Sequence, residues 1–183
     1  MTILTRSLSM LLIVFSMCTS CNASPKGEIK KLFDPQKEVG YGKVMKDSVA
    51  SIIFDAKTVT CELQSKNPVD TLRQDSISKV PETLVSTLQY LFFNPENFQS
   101  NDTVFGNFDS WACYKFEAKK KQIVYLEMDF GIRKWRILDS KKKVICGSDM
   151  KENNMQFIYF TRLLFPKDMT LELLNNNLKA IKK

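Results

Sequence analysis

Apolar and polar residues alternate along the central part of the chain, as they do in strands that bury one face only. The connections between the alternating stretches are at most five residues long, and connections this short join antiparallel neighbours. The pattern therefore predicts a four-stranded antiparallel meander, with strands at Trp111–Glu117, Ile123–Asp129, Lys134–Asp139 and Lys142–Gly147.

Helical spacing of apolar residues is found before this meander. Residues 80–93 begin with Pro81, which suits a first helical turn, and end before Asn94-Pro95, which stops a helix. Their apolar residues fall on one predicted helix face: Leu84, Leu88, Leu91 and Phe92.

Two further helices are predicted after the meander. The first follows Asp149–Glu152, whose residue types fit a capping box, and ends at Pro166. The second is capped by Asp168. Each carries an apolar stripe: Phe157, Ile158, Thr161, Leu164 and Phe165 in the first helix, and Leu171, Leu174, Leu178 and Ile181 in the second.

The pattern upstream of these elements predicts extended structure and loops. Residues 50–63 are predicted as one long strand or two short ones, because apolar residues recur two apart: Ile52 and Phe54, then Val59, Cys61 and Leu63. Residues 64–78 are predicted as a polar loop. A second loop, residues 94–110, carries Phe98, Phe105 and Phe108.

The N-terminal residues have the three parts of a secretory signal. Arg6 precedes an uncharged apolar run, Leu8–Met17, that is too short for the roughly 20 residues that span a bilayer. Thr19-Ser20-Cys21 follows and resembles a lipobox of the relaxed Bacteroidetes type, with Cys18 where Leu is usual. The resemblance implies a diacylglyceryl group on Cys21. The alternative is ordinary cleavage near Ala23 and soluble export.

The residues after Cys21 indicate the membrane to which a lipoprotein is sorted. Asn22 replaces the Asp that retains lipoproteins in the inner membrane, and residues 22–27 hold no acidic residue. We therefore expect a lipid-anchored protein of the outer membrane that faces the periplasm, with surface exposure as the alternative.

Four residues lie in a recurring three-residue pattern, in which each follows an Asp and precedes an aliphatic residue: Ser48, Thr71, Ser76 and Thr103. This pattern resembles the O-glycosylation acceptor of Bacteroidetes; ordinary turn chemistry is the alternative.

The order of predicted elements indicates the fold class. It favours α+β, with an antiparallel meander sheet of about five strands and two to three helices packed on one face. We divide the chain into a signal peptide at residues 1–20, a lipid anchor and tether at 21–48, and a single α+β domain at 49–183.

The C-terminal part of the chain has a Trp-bearing meander followed by Leu164-Phe165-Pro166-Lys167-Asp168, and it resembles a group of small Bacteroidetes proteins without assigned activity. That resemblance implies the fold and no chemistry.

Composition excludes several classes of active site. The chain has no histidine, which removes imidazole-based triads and His-ligated zinc. No glycine-rich phosphate loop and no paired-cysteine motif is present, so we expect no enzyme activity, cofactor or metal. Cys61, Cys113 and Cys146 are expected to be buried thiols; a Cys113–Cys146 disulfide is the alternative.

Charge gives the one positive indication of function. The formal net charge is +7, and the first and third turns of a meander lie at the same end of the sheet. Those turns hold six lysines: Lys119, Lys120, Lys121, Lys141, Lys142 and Lys143. They predict a patch for an anionic partner, either lipid head groups or an acidic protein, while nucleic acid is not expected for an exported protein. The alternative is solvated turns that protect strand edges.

Three functional hypotheses follow. The first is a non-enzymatic lipoprotein that binds or scaffolds a partner at the cell envelope, toxin immunity being one form. The second is a small-ligand binder that uses the aromatic loop between Phe98 and Phe108. The third is a hydrolase that uses Glu127 and Asp129, which lie two apart on one strand and so share a face.

Overall fold

The computed structural model describes residues 26–64, 77–98, 107–150 and 153–181. Its centre is a six-stranded sheet in the order β2-β1-β3-β4-β5-β6, with every neighbouring pair antiparallel. The four strands after residue 110 form the predicted meander. The strands are β1 Thr58–Leu63, β2 Ile77–Lys79, β3 Ala112–Glu117, β4 Ile123–Asp129, β5 Lys134–Leu138 and β6 Val144–Asp149.

Helices cover one face of this sheet, which confirms the α+β prediction. They are α1 Lys26–Phe33, α2 Asp47–Phe54, α3 Glu82–Phe93, α4 Asn154–Leu164 and α5 Met169–Ile181. Short 3₁₀ turns lie at Asp34–Gln36, Tyr41–Lys43, Pro95–Phe98 and Lys119–Lys121. We call the opposite side of the sheet the outer face.

Aromatic rings make the centre of the core between the sheet and the helices. The Trp135 ring meets Phe92 and Phe98 edge-on, with centroids 5.0 and 5.3 Å away. Its indole N–H donates to the Asn97 carbonyl at 2.8 Å, so the one polar atom of the ring is satisfied. This contact fixes the 3₁₀ turn after α3 onto β5.

The segment Asp47–Phe54 is a helix, so the strand predicted from Ile52 and Phe54 is wrong. Its buried residues are Val49, Ala50, Ile53 and Phe54, which share one helical face. The prediction failed because a short apolar run does not distinguish a strand from a buried helix. Strand β1 begins only at Thr58, and β2 begins at Ile77, within the last two residues of the predicted polar loop.

The core also extends upstream of the predicted domain boundary at residue 49. Phe33, Tyr41 and Met45 are buried within it, although residues 21–48 are predicted as a tether. The Tyr41 ring meets Phe54 and Phe93 edge-on. Part of the predicted tether is therefore packed against α2 and α3.

The helix ends confirm one predicted cap and correct another. Asp168 Oδ1 accepts the Leu171 N–H at 2.8 Å at the start of α5, as a capping residue does. The capping box predicted at Asp149–Glu152 is wrong, because Asp149 is the last residue of β6 and pairs with Lys134 in the sheet. Helix α4 begins only at Asn154.

Candidate binding surfaces

The β3–β4 and β5–β6 turns lie at the same end of the sheet. Strands β3 and β5 run in the same direction and both end there. Adjacent strands lie about 4.8 Å apart, so the two turns are roughly 10 Å apart. We call this the lysine end; its six lysines are all exposed: Lys119, Lys120, Lys121, Lys141, Lys142 and Lys143.

Three of these lysines have a backbone conformation that ordinary side chains disfavour. The φ angles are 62° at Lys120, 59° at Lys121 and 64° at Lys142. The left-handed region costs a non-glycine residue roughly 1–2 kcal/mol, and glycine or asparagine is usual there. The chain places lysines at positions where glycine or asparagine would be more stable.

Few acidic groups offset this charge. Asp139 Oδ1 accepts the backbone N–H groups of Lys141 and Lys143 at 2.8 and 2.9 Å, which holds the β5–β6 turn. Glu117 pairs with Lys115 at 3.1 Å. Among the residues that the structure describes, no carboxylate forms an ion pair with a lysine of the lysine end.

Lys142 differs from its neighbours. Its Nζ lies 3.3 Å from the centroid of the Tyr125 ring and 4.0 Å from Cys113 Sγ. Both of these residues are on the outer face, so the Lys142 side chain folds back over the sheet. The other five lysines make no comparable contact with described residues, and their charges remain available to a partner.

The outer face holds the two carboxylates of the hydrolase hypothesis, and both are buried. Glu127, 6% exposed, receives hydrogen bonds from the Arg136 guanidinium, with both Nε and Nη2 at 2.7 Å from Oε2. The guanidinium carbon lies 4.1 Å from the Phe108 ring centroid. Glu127 is therefore held in a cross-strand ion pair beneath an aromatic ring.

The Asp129 carboxylate is buried and accepts hydrogen bonds from backbone N–H groups. Asp129 is 1% exposed, and Oδ1 accepts the N–H groups of Gly131 and Ile132 at 2.9 and 3.2 Å. Oδ2 accepts the Asp109 N–H at 2.6 Å. Asp129 thus ties the β4–β5 turn to the segment that precedes β3. The two carboxylates share a face, as predicted, and both are engaged by protein donors.

The three aromatic residues of the predicted loop do not form one site among the described residues. Phe98 is fully buried in the core against Trp135, and Phe108 covers Arg136 on the outer face. Phe105 lies outside the described residues. The two visible rings serve packing on opposite faces of the sheet.

The three cysteines within the described residues, Cys61, Cys113 and Cys146, are buried free thiols, as expected. Cys61 and Cys146 belong to the helical side of the sheet, whereas Cys113 is on the outer face. Burial raises the pKa of the Cys113 thiol to about 11 and that of Cys146 to about 12. Within the described ranges, no group of three or more acidic or cysteine side chains is placed to hold a metal ion.

An apolar groove of about 500 Å³ lies between α3 and α4 and was not predicted. Its lining includes Thr87 and Leu91 from α3 and Tyr159, Phe160, Arg162 and Leu163 from α4. Each helix was predicted with its apolar stripe. Of the lining residues, Leu91 alone belongs to a predicted stripe; Tyr159, 42% exposed, and Leu163, 66% exposed, lie outside the stripe predicted for α4.

Of the predicted modification sites, Ser48 lies within the described residues. Ser48 is exposed in the first turn of α2. Cys21, Thr71, Ser76 and Thr103 lie outside the described residues. Over the ranges that the structure covers, none of the helices has the length and apolar character needed to cross a bilayer.

Comparison with known proteins gives no relative. No protein-family model, curated protein or solved structure matches the chain.

Proposed function

We propose that the protein is a lipid-anchored, non-enzymatic binding protein of the bacterial cell envelope, held at the outer membrane on its periplasmic side. The lysine end is proposed to contact anionic lipid head groups. The observation that carries the proposal is the convergence of two lysine-rich turns at one end of the sheet, with three of those lysines in left-handed backbone. Lysine is unusual at such positions, where glycine or asparagine is common.

Lysine chemistry favours a membrane surface over a shaped protein site. An ammonium group is a strongly hydrated point charge on a flexible stem, whereas bidentate recognition of single anions uses arginine. Each lysine near an anionic bilayer contributes about 1 kcal/mol of attraction. The proposed lipid on Cys21 would keep the domain within reach of such a surface.

The anchor and the lysine end are tested separately. For the anchor, Cys21→Ser is expected to move the protein from the membrane fraction to the soluble fraction of native cells. Unchanged membrane association would contradict lipidation at Cys21.

For the lysine end, the mature chain, residues 21–183 with Cys21→Ser, is mixed with phosphatidylcholine vesicles that do or do not contain phosphatidylglycerol; the apolar segment Leu8–Met17 is left out because it would itself enter the lipid. Binding is expected only with the anionic lipid. Lys120→Gln should weaken it about fivefold, because 1 kcal/mol corresponds to that factor. Arg133→Gln is the matched control, since Arg133 is also exposed and left-handed, with φ 58°, but lies in the β4–β5 turn at the opposite end. Its affinity should not change.

Two outcomes would overturn the assignment. Equal losses for Lys120→Gln and Arg133→Gln would mean that net charge, and not the lysine end, governs binding. Binding to soluble polyglutamate without binding to the anionic vesicles would instead identify an acidic protein as the partner.

A further inference from the structure

The α3–α4 groove is an apolar surface on the helical side of the protein, away from the outer face, and it is open among the residues that the structure describes. Along α4, the residues that line it are Gln156, Tyr159, Phe160 and Leu163, which recur at the three- and four-residue spacing of one helix face. Phe160 is buried at its floor, while Tyr159 and Leu163 stay open to solvent. An exposed apolar patch beside a groove is typical of an interaction site.

The shape of the groove fits an extended apolar element better than a small molecule. Small-ligand pockets enclose about 70–90% of their ligand, whereas here Leu163 on the rim is 66% exposed. From Gln156 to Leu163 the groove follows α4 for roughly 10 Å, or two turns, at 1.5 Å per residue. Two turns is the length over which a docked helix presents anchors at positions i, i+3 or i+4, and i+7.

The positive charge of Arg162 at the rim of the groove favours a partner with an acidic side chain. Arg162 lines the groove, and it forms no ion pair with any residue that the structure describes. Its planar guanidinium suits a carboxylate, which it can bind with two parallel hydrogen bonds. No described acidic side chain lines the groove.

We propose that the α3–α4 groove docks an amphipathic helix of a partner protein, whose apolar face packs on Leu91, Phe160 and Leu163 and whose acidic side chain pairs with Arg162. This proposal does not depend on the lysine end or on the lipid anchor.

The test uses defined peptides and the full-length protein. The probe is a fluorescent peptide of about 15 residues, long enough to form a marginal helix in water, with leucines three and four residues apart and one flanking glutamate. It is compared with a scrambled peptide of the same composition and with a version that carries lysine in place of the glutamate. Binding is followed by fluorescence anisotropy, and helix formation by circular dichroism.

The amphipathic peptide should bind, gain helicity, and bind at least fivefold more tightly than the lysine version. Arg162→Glu should reverse that preference. Leu163→Ser should weaken binding about fivefold, whereas Ile132→Ser, at an equally apolar exposed site in the β4–β5 turn, should not. Both serine variants alter exposed side chains, so each should fold.

Three results would overturn the proposal. One is equal affinity for the amphipathic and scrambled peptides. Another is a peptide preference that Arg162→Glu leaves unchanged. The last is complete displacement of the peptide by palmitate together with direct palmitate binding, which would assign the groove to an acyl chain.

Discussion

Asp129 gives the sharpest test of how the sheet is held together, because its carboxylate is buried and accepts three backbone N–H groups. Hydrogen bonds to a charged group contribute about 1.5–3 kcal/mol each. Three such bonds at the lower value give roughly 4–5 kcal/mol. Gly131 and Ile132 are exposed, so water can replace the carboxylate at their N–H groups. We therefore expect Asp129→Ala to lower the free energy of unfolding by about 3 kcal/mol.

Asp129→Asn refines this prediction. The amide oxygen can still accept the two N–H groups that Oδ1 accepts, but its NH₂ group then faces the Asp109 N–H, which sets two donors against each other. The cost should be about 1–2 kcal/mol, less than for alanine. A carboxylate with a catalytic role only would show no such graded loss of stability.

The assay is equilibrium unfolding in urea, with stability taken from the midpoint and slope. Asp139→Ala is the matched control, because Asp139 also accepts two backbone N–H groups in a turn, but at an exposed site. It should cost at most about 1 kcal/mol, since water satisfies the freed groups. A loss below 1 kcal/mol for Asp129→Ala, or equal losses for the two alanine variants, would mean that the buried Asp129 carboxylate does not stabilise the β4–β5 turn.

Three further predictions concern the thiols and the lysine end. In folded protein Cys61, Cys113 and Cys146 should resist alkylation at pH 8, and fast labelling of these three without denaturant would contradict their burial. Stability should fall as the pH rises from about 9 to 11, because burial raises the pKa of the Cys113 thiol to about 11, so that the folded state keeps a proton that the unfolded chain releases near 9.0. A double-mutant cycle of Lys142→Met and Tyr125→Leu should give a coupling of about 0.5–1 kcal/mol from the cation–π contact, and no coupling would place the ammonium elsewhere. Lys120→Asn should leave the free energy of unfolding unchanged or raise it by up to about 1 kcal/mol, while it weakens binding to anionic vesicles. A lower melting temperature would mean that the lysine side chain stabilises the turn.

The meander was predictable because its strands alternate cleanly and its turns are short. In β4, Val124, Leu126 and Met128 point into the core, while the residues between them form the outer face. Helix α3 was predictable for the same kind of reason, since one apolar stripe is bounded by Pro81 and Asn94. Local pattern and tertiary structure agree in these segments.

The errors lie where long-range contacts decide between local alternatives. In α2, Ile52 and Phe54 fall at strand spacing, but Gln89 donates to the carbonyls of Ile53 and Phe54 and fixes the end of a helix. The packing of Tyr41 on Phe93 is equally invisible in a segment that is rich in lysine and glycine. The α3–α4 groove was missed because its α4 side chains, Tyr159, Phe160 and Leu163, lie outside the apolar stripe that was predicted for that helix.

Vesicle partitioning of a charge-depleted variant decides whether the lysine end binds an anionic membrane surface. The mature chain, residues 21–183 with Cys21→Ser, is compared with the same chain carrying Lys119→Gln, Lys120→Gln and Lys121→Gln as well. At about 1 kcal/mol per lysine, the triple substitution should weaken partitioning onto phosphatidylglycerol-containing vesicles by roughly 100-fold. The same partition coefficient for both proteins would contradict the account.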